Sequence, residues 1–267
     1  MSAELTNPQA DLALARLRSL TPARVGLRRA GDSLATSELL DFQLAHARAR
    51  DAVHARFEPS SLLAALRVLG HVDALLLHSA APDRQTYLQR PDLGRKLDEA
   101  SWNRLRSLEN SGSDYDLAVV IADGLSALAV ERHAAPLLAE LLPALARCSL
   151  QLRMAPICLV EQGRVAIGDE IAQALRASLV VVLIGERPGL SSPDSLGIYI
   201  SWHPEPGKTT DAQRNCISNI RAEGLSYPGA AARLLFYILE ARHLQQTGVA
   251  LKDPEFASTL QMEAGKA

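Results

Sequence analysis

The stretch Leu117-Ala118-Val119-Val120-Ile121-Ala122, followed by Asp123-Gly124-Leu125-Ser126, decides how the chain is read. Six apolar residues in a row, half of them β-branched, suit a strand buried on both faces; a half-buried strand would alternate with polar residues. Asp123-Gly124 makes a turn, and Ser126 is suited to cap a helix. That helix spans 126–148 and is open to a break into two at Pro136 and Pro143. The pattern then repeats. Residues 155–161 read as a second strand, 169–177 as a helix, 179–185 as a third strand and 197–202 as a fourth. Residues 228–246 form a strong amphipathic helix.

Upstream the periodicity is helical. Pro8 opens a segment with Leu12, Leu14, Leu17 and Leu20. A helix beginning near Thr36 or Ser37 repeats Leu39, Leu40, Leu44 and Ala47 at a period near 3.6. Pro59-Ser60-Ser61 starts another, carrying Leu62, Leu63, Leu66, Leu69, Val72 and Leu76, with Gly70 as its weak point. Residues 87–95 make a basic, turn-like segment, and 97–108 a short amphipathic helix. The polar run Glu109-Asn110-Ser111-Gly112-Ser113-Asp114 marks the boundary. Residues 1–110 therefore read as a helical N-terminal domain and 111–267 as an α/β domain. Strands alternating with helices imply a Rossmann-like, mostly parallel sheet flanked by helices.

Composition agrees with this. The 267 residues include 42 Ala and 45 Leu, against 4% aromatic, which favours helices. A net charge of −2 excludes a nucleic-acid binder driven by bulk charge. The odd set Cys148, Cys158 and Cys216, without a CxxC pair, argues against a disulfide framework or a Cys-rich zinc site. The N-terminus lacks a signal-peptide core, and no run approaches the roughly 18 apolar residues of a span. The expectation is a soluble, intracellular protein without membrane or nucleic-acid partners.

Ligands of open α/β sheets bind beyond the carboxyl ends of the strands. Three polar, glycine-bearing turns stand there: Asp123-Gly124-Leu125-Ser126, Glu161-Gln162-Gly163-Arg164-Val165 and Gly185-Glu186-Arg187-Pro188-Gly189-Leu190. Turns need such residues anyway, but three at one edge favour a binding site. The familiar motifs fail. No GxGxxG occurs. Gly207-Lys208-Thr209 lacks the leading P-loop glycine, since Trp202 stands there. A nucleophile elbow on Ser126 fails because position 128 is Leu128. His46 and His54 read as a solvated or interfacial helix face, and Cys216 as a small packing residue. Pro188 and Gly189 fix the turn that holds Glu186 and Arg187 at the sheet edge. The residues describe a ligand shelf without a catalytic set or a metal site.

Five words of the sequence carry a resemblance. They are His46-Ala47-Arg48-Ala49-Arg50-Asp51-Ala52-Val53-His54, Tyr87-Leu88-Gln89-Arg90-Pro91-Asp92-Leu93-Gly94-Arg95, Val120-Ile121-Ala122-Asp123-Gly124-Leu125-Ser126, Gly185-Glu186-Arg187-Pro188-Gly189-Leu190 and Cys216-Ile217-Ser218-Asn219-Ile220. In this order and spacing they resemble the small (light, β) subunit family of ethanolamine ammonia-lyase, from about Thr21 to the C-terminal helix. The resemblance implies an adenosylcobalamin-dependent enzyme that converts ethanolamine to acetaldehyde and ammonia by a radical mechanism. A large TIM-barrel subunit holds ethanolamine in that family. The small subunit binds part of the cobalamin at the interface of a hetero-oligomer, and 1–110 would pack on the large subunit. The implied cofactor-binding residues are Val165, Glu186 and Cys216. No catalytic residue or metal ligand is implied in this chain.

The chain has no DxHxxG, so base-on binding of the cobalamin is expected. Some relatives carry a long N-terminal extension linked to packaging in a bacterial microcompartment. Few residues precede Thr21 here, which makes the expected location the cytoplasm and leaves packaging open. Arg28 stands where the family commonly has glycine before Arg-Ala-Gly, and a local loop change is expected. The alternative to an enzyme subunit is a stand-alone α/β small-molecule binding module without catalytic activity.

Overall fold

Loop length decides how the strands run. The computed structural model describes residues 8–21, 23–70, 74–108, 114–148 and 152–253. Strand β4 (Tyr115–Ala122) leads through helix α6 (Ala127–Arg147) to β5 (Cys158–Glu161). From there α7 (Ile167–Leu175) leads to β6 (Ala177–Gly185). Helical crossovers of this length return the chain parallel. Residues 186–195 hold no helix, so the chain reverses, and β7 (Leu196–Trp202) pairs antiparallel with β6. Strand β8 (Asn215–Ile220) pairs antiparallel with β7.

The sheet is completed at its other edge by β3 (Leu75–His78), parallel to β5. The order is β3-β5-β4-β6-β7-β8, three parallel pairings followed by two antiparallel ones. The sheet is therefore mixed, though mostly parallel as the sequence implies. One face, with Val119, Ile121, Val181, Ile198 and Ile217, packs against α3 (Pro59–Val68), α6 and α8 (Tyr227–Leu244). The other, with Ala118, Val120, Val180 and Val182, packs against α5 (Glu99–Arg106) and α7. Burial of these strand residues on both faces supplies the main stabilising term.

Four sequence expectations change. The third upstream helix stops at Val68, and Gly70 follows with φ +89°, a left-handed conformation that suits glycine. Leu76, assigned to that helix, lies instead in β3; Val72 falls outside the described residues, as do 109–113 of the boundary run. Residues 215–220 form a strand that the sequence reading passed over. Cys216, Ser218 and Asn219 face outward, and a register shift opposite Leu196 and Ile198 blurs the alternation. Helix α6 runs unbroken through Pro136 and Pro143. Residues 87–89 of the segment read as a turn belong instead to a short helix over Arg84–Gln89, and the remaining differences are end shifts of one to three residues, within the usual latitude of helix and strand limits.

Helix α1 (Pro8–Ser19), the short hairpin of β1 (Arg29–Ala30) and β2 (Ser33–Leu34), and α2 (Thr36–His54) precede the sheet. Arg28 turns its guanidinium to the start of α2, donating to Ser37 Oγ at 3.0 Å and approaching Glu38 at 3.4 Å. Several large apolar residues of these helices stay outside: Leu12, Leu17, Leu40 and Leu44 are all more than half exposed. Among the described residues, no helix is long and apolar enough to cross a membrane.

Candidate functional site

The three turns meet at the carboxyl edge of the parallel strands, where buried polar groups hold them. Asp123, at the end of β4, is 2% exposed. Its Oδ1 accepts from the Gly163 N–H at 3.0 Å, and its Oδ2 lies 3.4 Å from Arg84 Nη1. Arg84 opens helix α4 (Arg84–Gln89) and also donates to the carbonyls of Val53 and Gly124 and to Gln162 Oε1. One guanidinium thus ties α2, α4 and two strand ends together. Burial pushes the Asp123 carboxyl up to about 6, against the lowering pull of Arg84. The raised value has a sign consequence. The stability this group contributes is fully present below its unfolded pKa near 4 and is lost as pH rises through about 6. Asp123→Asn should therefore gain on the natural chain between pH 4 and 6, with a constant difference above pH 7; denaturant unfolding across that range checks it.

Val165 follows the second turn and is half-buried against the α7 layer of the core. The basic segment 87–95 explains its position. Tyr87 is fully buried, donates its hydroxyl to the Gly163 carbonyl at 3.1 Å and lies beneath the Arg164 guanidinium at 4.3 Å. The Arg164 N–H donates to the Gly94 carbonyl at 2.7 Å. Val165 lines a cleft of about 610 Å³ together with Arg95, Lys96, Arg164 and the loop 206–211.

Glu186 follows β6. Gly185 makes this possible: a Cβ there would stand 2.0 Å from the Ser126 carbonyl oxygen. The Glu186 carboxylate accepts from the Ser195 hydroxyl and from the Asn219 N–H at 3.3 Å, and lies over Gly197. The loop 186–195 is pinned to α6, where Ser126 Oγ donates to the Pro193 carbonyl at 2.9 Å and Arg132 pairs with Asp194 at 2.8 Å. His133 lies 3.5 Å from Asp194 and 2.8 Å from the Tyr227 hydroxyl; burial lowers its pKa. Arg187 is exposed.

Cys216 pairs across the ladder with Tyr199 of β7 and shares its face of the sheet. The Tyr199 hydroxyl and the Cys216 thiol stand side by side there, and both groups feel the Glu186 charge. Desolvation pushes the Tyr199 hydroxyl up to about 12 and raises the Cys216 thiol, so neither is ionised near neutrality. Cys216 and Ser218 are exposed on the face that α7 covers farther along the sheet. This leaves a shelf of small side chains on β7 and β8, with Glu186 at its upper edge.

The sequence-expected residues are thus arranged in two groups. Glu186 and Cys216 meet around Tyr199, while Val165 stands at the start of α7 and lines the neighbouring cleft. A buried ion pair joins the groups. Arg214, two residues before Cys216, binds Asp169 of α7 through two bonds of 2.7 Å and donates to Ser201 Oγ at 2.8 Å. Both side chains are at most 2% exposed. Sequence reasoning missed Arg84, Tyr199 and this pair. A lone Asp in a first helical turn and an Arg before an unrecognised strand give no sign that they meet. His46 and His54 are exposed on α2, in line with a solvated or interfacial face.

Comparison with known proteins agrees with the shared words. The family model of the ethanolamine ammonia-lyase light chain matches residues 11–252. The ethanolamine ammonia-lyase small subunit of Pseudomonas aeruginosa (strain UCBPP-PA14) is 58% identical over 251 residues, covering 93% of this chain and 90% of its own. That of Xanthomonas campestris pv. campestris (strain B100) is 57% identical over 249 residues, with coverage of 93% and 90%. That of Pseudomonas fluorescens (strain SBW25) is 55% identical over 253 residues, with coverage of 92% and 88%. With the family model spanning most of its length and relatives at this identity, the chain belongs to the small-subunit (light-chain) family of ethanolamine ammonia-lyase, an ammonia-lyase.

Proposed function

We propose that the chain works as one half of an adenosylcobalamin-dependent enzyme that converts ethanolamine to acetaldehyde and ammonia. Its partner is a large subunit that holds ethanolamine. The observation that carries the reading is the shelf beside Glu186. It combines a fixed acceptor and an exposed small thiol on the face of β7 and β8 opposite α8, with the half-buried Val165 at the neighbouring cleft. These residues fit a broad, amide-fringed, largely uncharged corrinoid. Small side chains permit close approach, and Glu186 offers its carboxylate to amide N–H groups. Val165 adds an apolar contact. The chemistry supplied when the cofactor is bound is radical chemistry from the cobalt–carbon bond.

The tasks of this chain are binding, orientation and exclusion of water. Glu186 is held by Ser195 and Asn219, so it meets the ligand without losing much freedom. Tyr199 and Cys216 stay neutral and form a floor of low charge. The large subunit covers the shelf, and the region 1–110 packs on it. The exposed leucines of α1 and α2 support this, since a run of such residues on successive turns suits a protein interface. The cofactor binds base-on, because the chain lacks the DxHxxG word of the alternative mode; electron paramagnetic resonance with labelled histidine against labelled cofactor tests this.

Co-expression with a large subunit should give release of acetaldehyde and ammonia from ethanolamine that depends on adenosylcobalamin. Failure with every large subunit tried would favour a stand-alone binding module.

A further inference from the structure

We infer that the cleft beside Val165 is an anion subsite for the phosphodiester in the nucleotide arm of the corrinoid, an inference that rests on the cobalamin reading above. The cleft, about 610 Å³, is lined by four basic and four acidic side chains, so its formal charge is balanced. Its engaged charge is not. Asp169 is consumed by the two bonds from Arg214. Asp92 is held by Arg90 through bonds of 2.9 and 2.7 Å, although Lys96 also faces it. Glu170 accepts from the Leu97 N–H at 2.6 Å, and Asp211 lies 3.9 Å from Arg214 Nε.

The cations facing them are freer. Arg95 and Lys96 are exposed and form no ion pair among the described residues. Arg164 stacks on Tyr87 and donates Nη2 to the Tyr87 carbonyl, while its buried Nε has no acceptor. Thr209 and Thr210 stand on the opposite rim. Arg95 and Arg164, with no carboxylate paired to them among the described residues, and Lys96, which faces only the already engaged Asp92, surround a cleft open to solvent and suit a singly charged, multi-oxygen anion. A phosphodiester is the anionic group of an otherwise largely neutral ligand. Val165 links the two features: it lines the cleft and is one of the residues proposed to touch the corrinoid.

The test uses the complex of this chain with a large subunit and two probes, cyanocobalamin and dicyanocobinamide, which lacks the nucleotide arm. Binding is read by equilibrium dialysis. The double variant Arg95→Ala with Lys96→Ala should bind cyanocobalamin about ten-fold more weakly and dicyanocobinamide as the natural chain does. Lys96→Arg alone should keep the natural affinity. Added salt should weaken cyanocobalamin binding less in the double variant than in the natural complex. Both side chains are exposed, so the variants should melt with the natural chain. Unchanged cyanocobalamin affinity in the double variant, or equal loss for both probes, overturns the subsite. If Glu186→Ala weakens both probes while the double variant weakens neither, the cobalamin reading stands and the subsite falls. A natural complex that binds neither probe overturns both.

Discussion

Arg214→Ala lowers the stability of the chain by about 3–5 kcal/mol, the usual effect of stripping one partner from a buried ion pair. The loss is expected because Asp169, 1% exposed, would be left without its two bonds of 2.7 Å in a site that already disfavours its charge. The melting temperature should fall by about 10 °C for a domain of this size. Replacing both members with apolar residues, Asp169→Leu with Arg214→Met, should recover most of the loss, since no charge then remains buried. The pair also holds α7, and with it Val165, against the start of β8. The single variant should therefore bind corrinoid more weakly than its stability alone explains. A loss below about 1 kcal/mol by denaturant unfolding would show that the pair does not brace the shelf.

Glu186→Ala should weaken cobalamin binding by the two-subunit complex about ten-fold or more, the cost of losing a charge-assisted acceptor. The carboxylate is held by a hydroxyl and a backbone N–H, so the site loses a group that was already oriented. Glu186→Gln should lose less, because its amide oxygen still accepts. The chain should fold in both variants, since Glu186 is a half-buried loop residue with the α6 anchors of the loop intact. Spectrophotometric titration with cyanocobalamin checks the order; unchanged affinity in the alanine variant removes Glu186 from the binding residues.

What could be read in advance divides along a physical line. Strands buried on both faces announce themselves, and β4, β5, β6 and β7 were all legible from runs such as Val180-Val181-Val182-Leu183-Ile184. Edge strands were not. Strand β3 is four residues long, and its leucines continue the helical spacing before it. Strand β8 exposes Cys216, Ser218 and Asn219, so half of its pattern is polar. The direction of β7 was legible in principle, since ten residues without a helix cannot make a crossover. At the site, the resemblance supplied Val165, Glu186 and Cys216. The groups that hold them were hidden because they act across the fold: Arg84 reaches Gln162, and Arg214 reaches Asp169, 45 positions away. Long-range pairing of charged groups leaves no periodic trace in a single sequence.

The central claim is that this chain provides one wall of a cobalamin site completed by a large subunit. Equilibrium dialysis of cyanocobalamin against the separate chains and the assembled complex tests it most directly. The account predicts tight binding by the complex, saturating at one cobalamin per pair of subunits, with weak binding to either chain alone. Equally tight binding to the large subunit alone, unchanged when this chain is added, would contradict it.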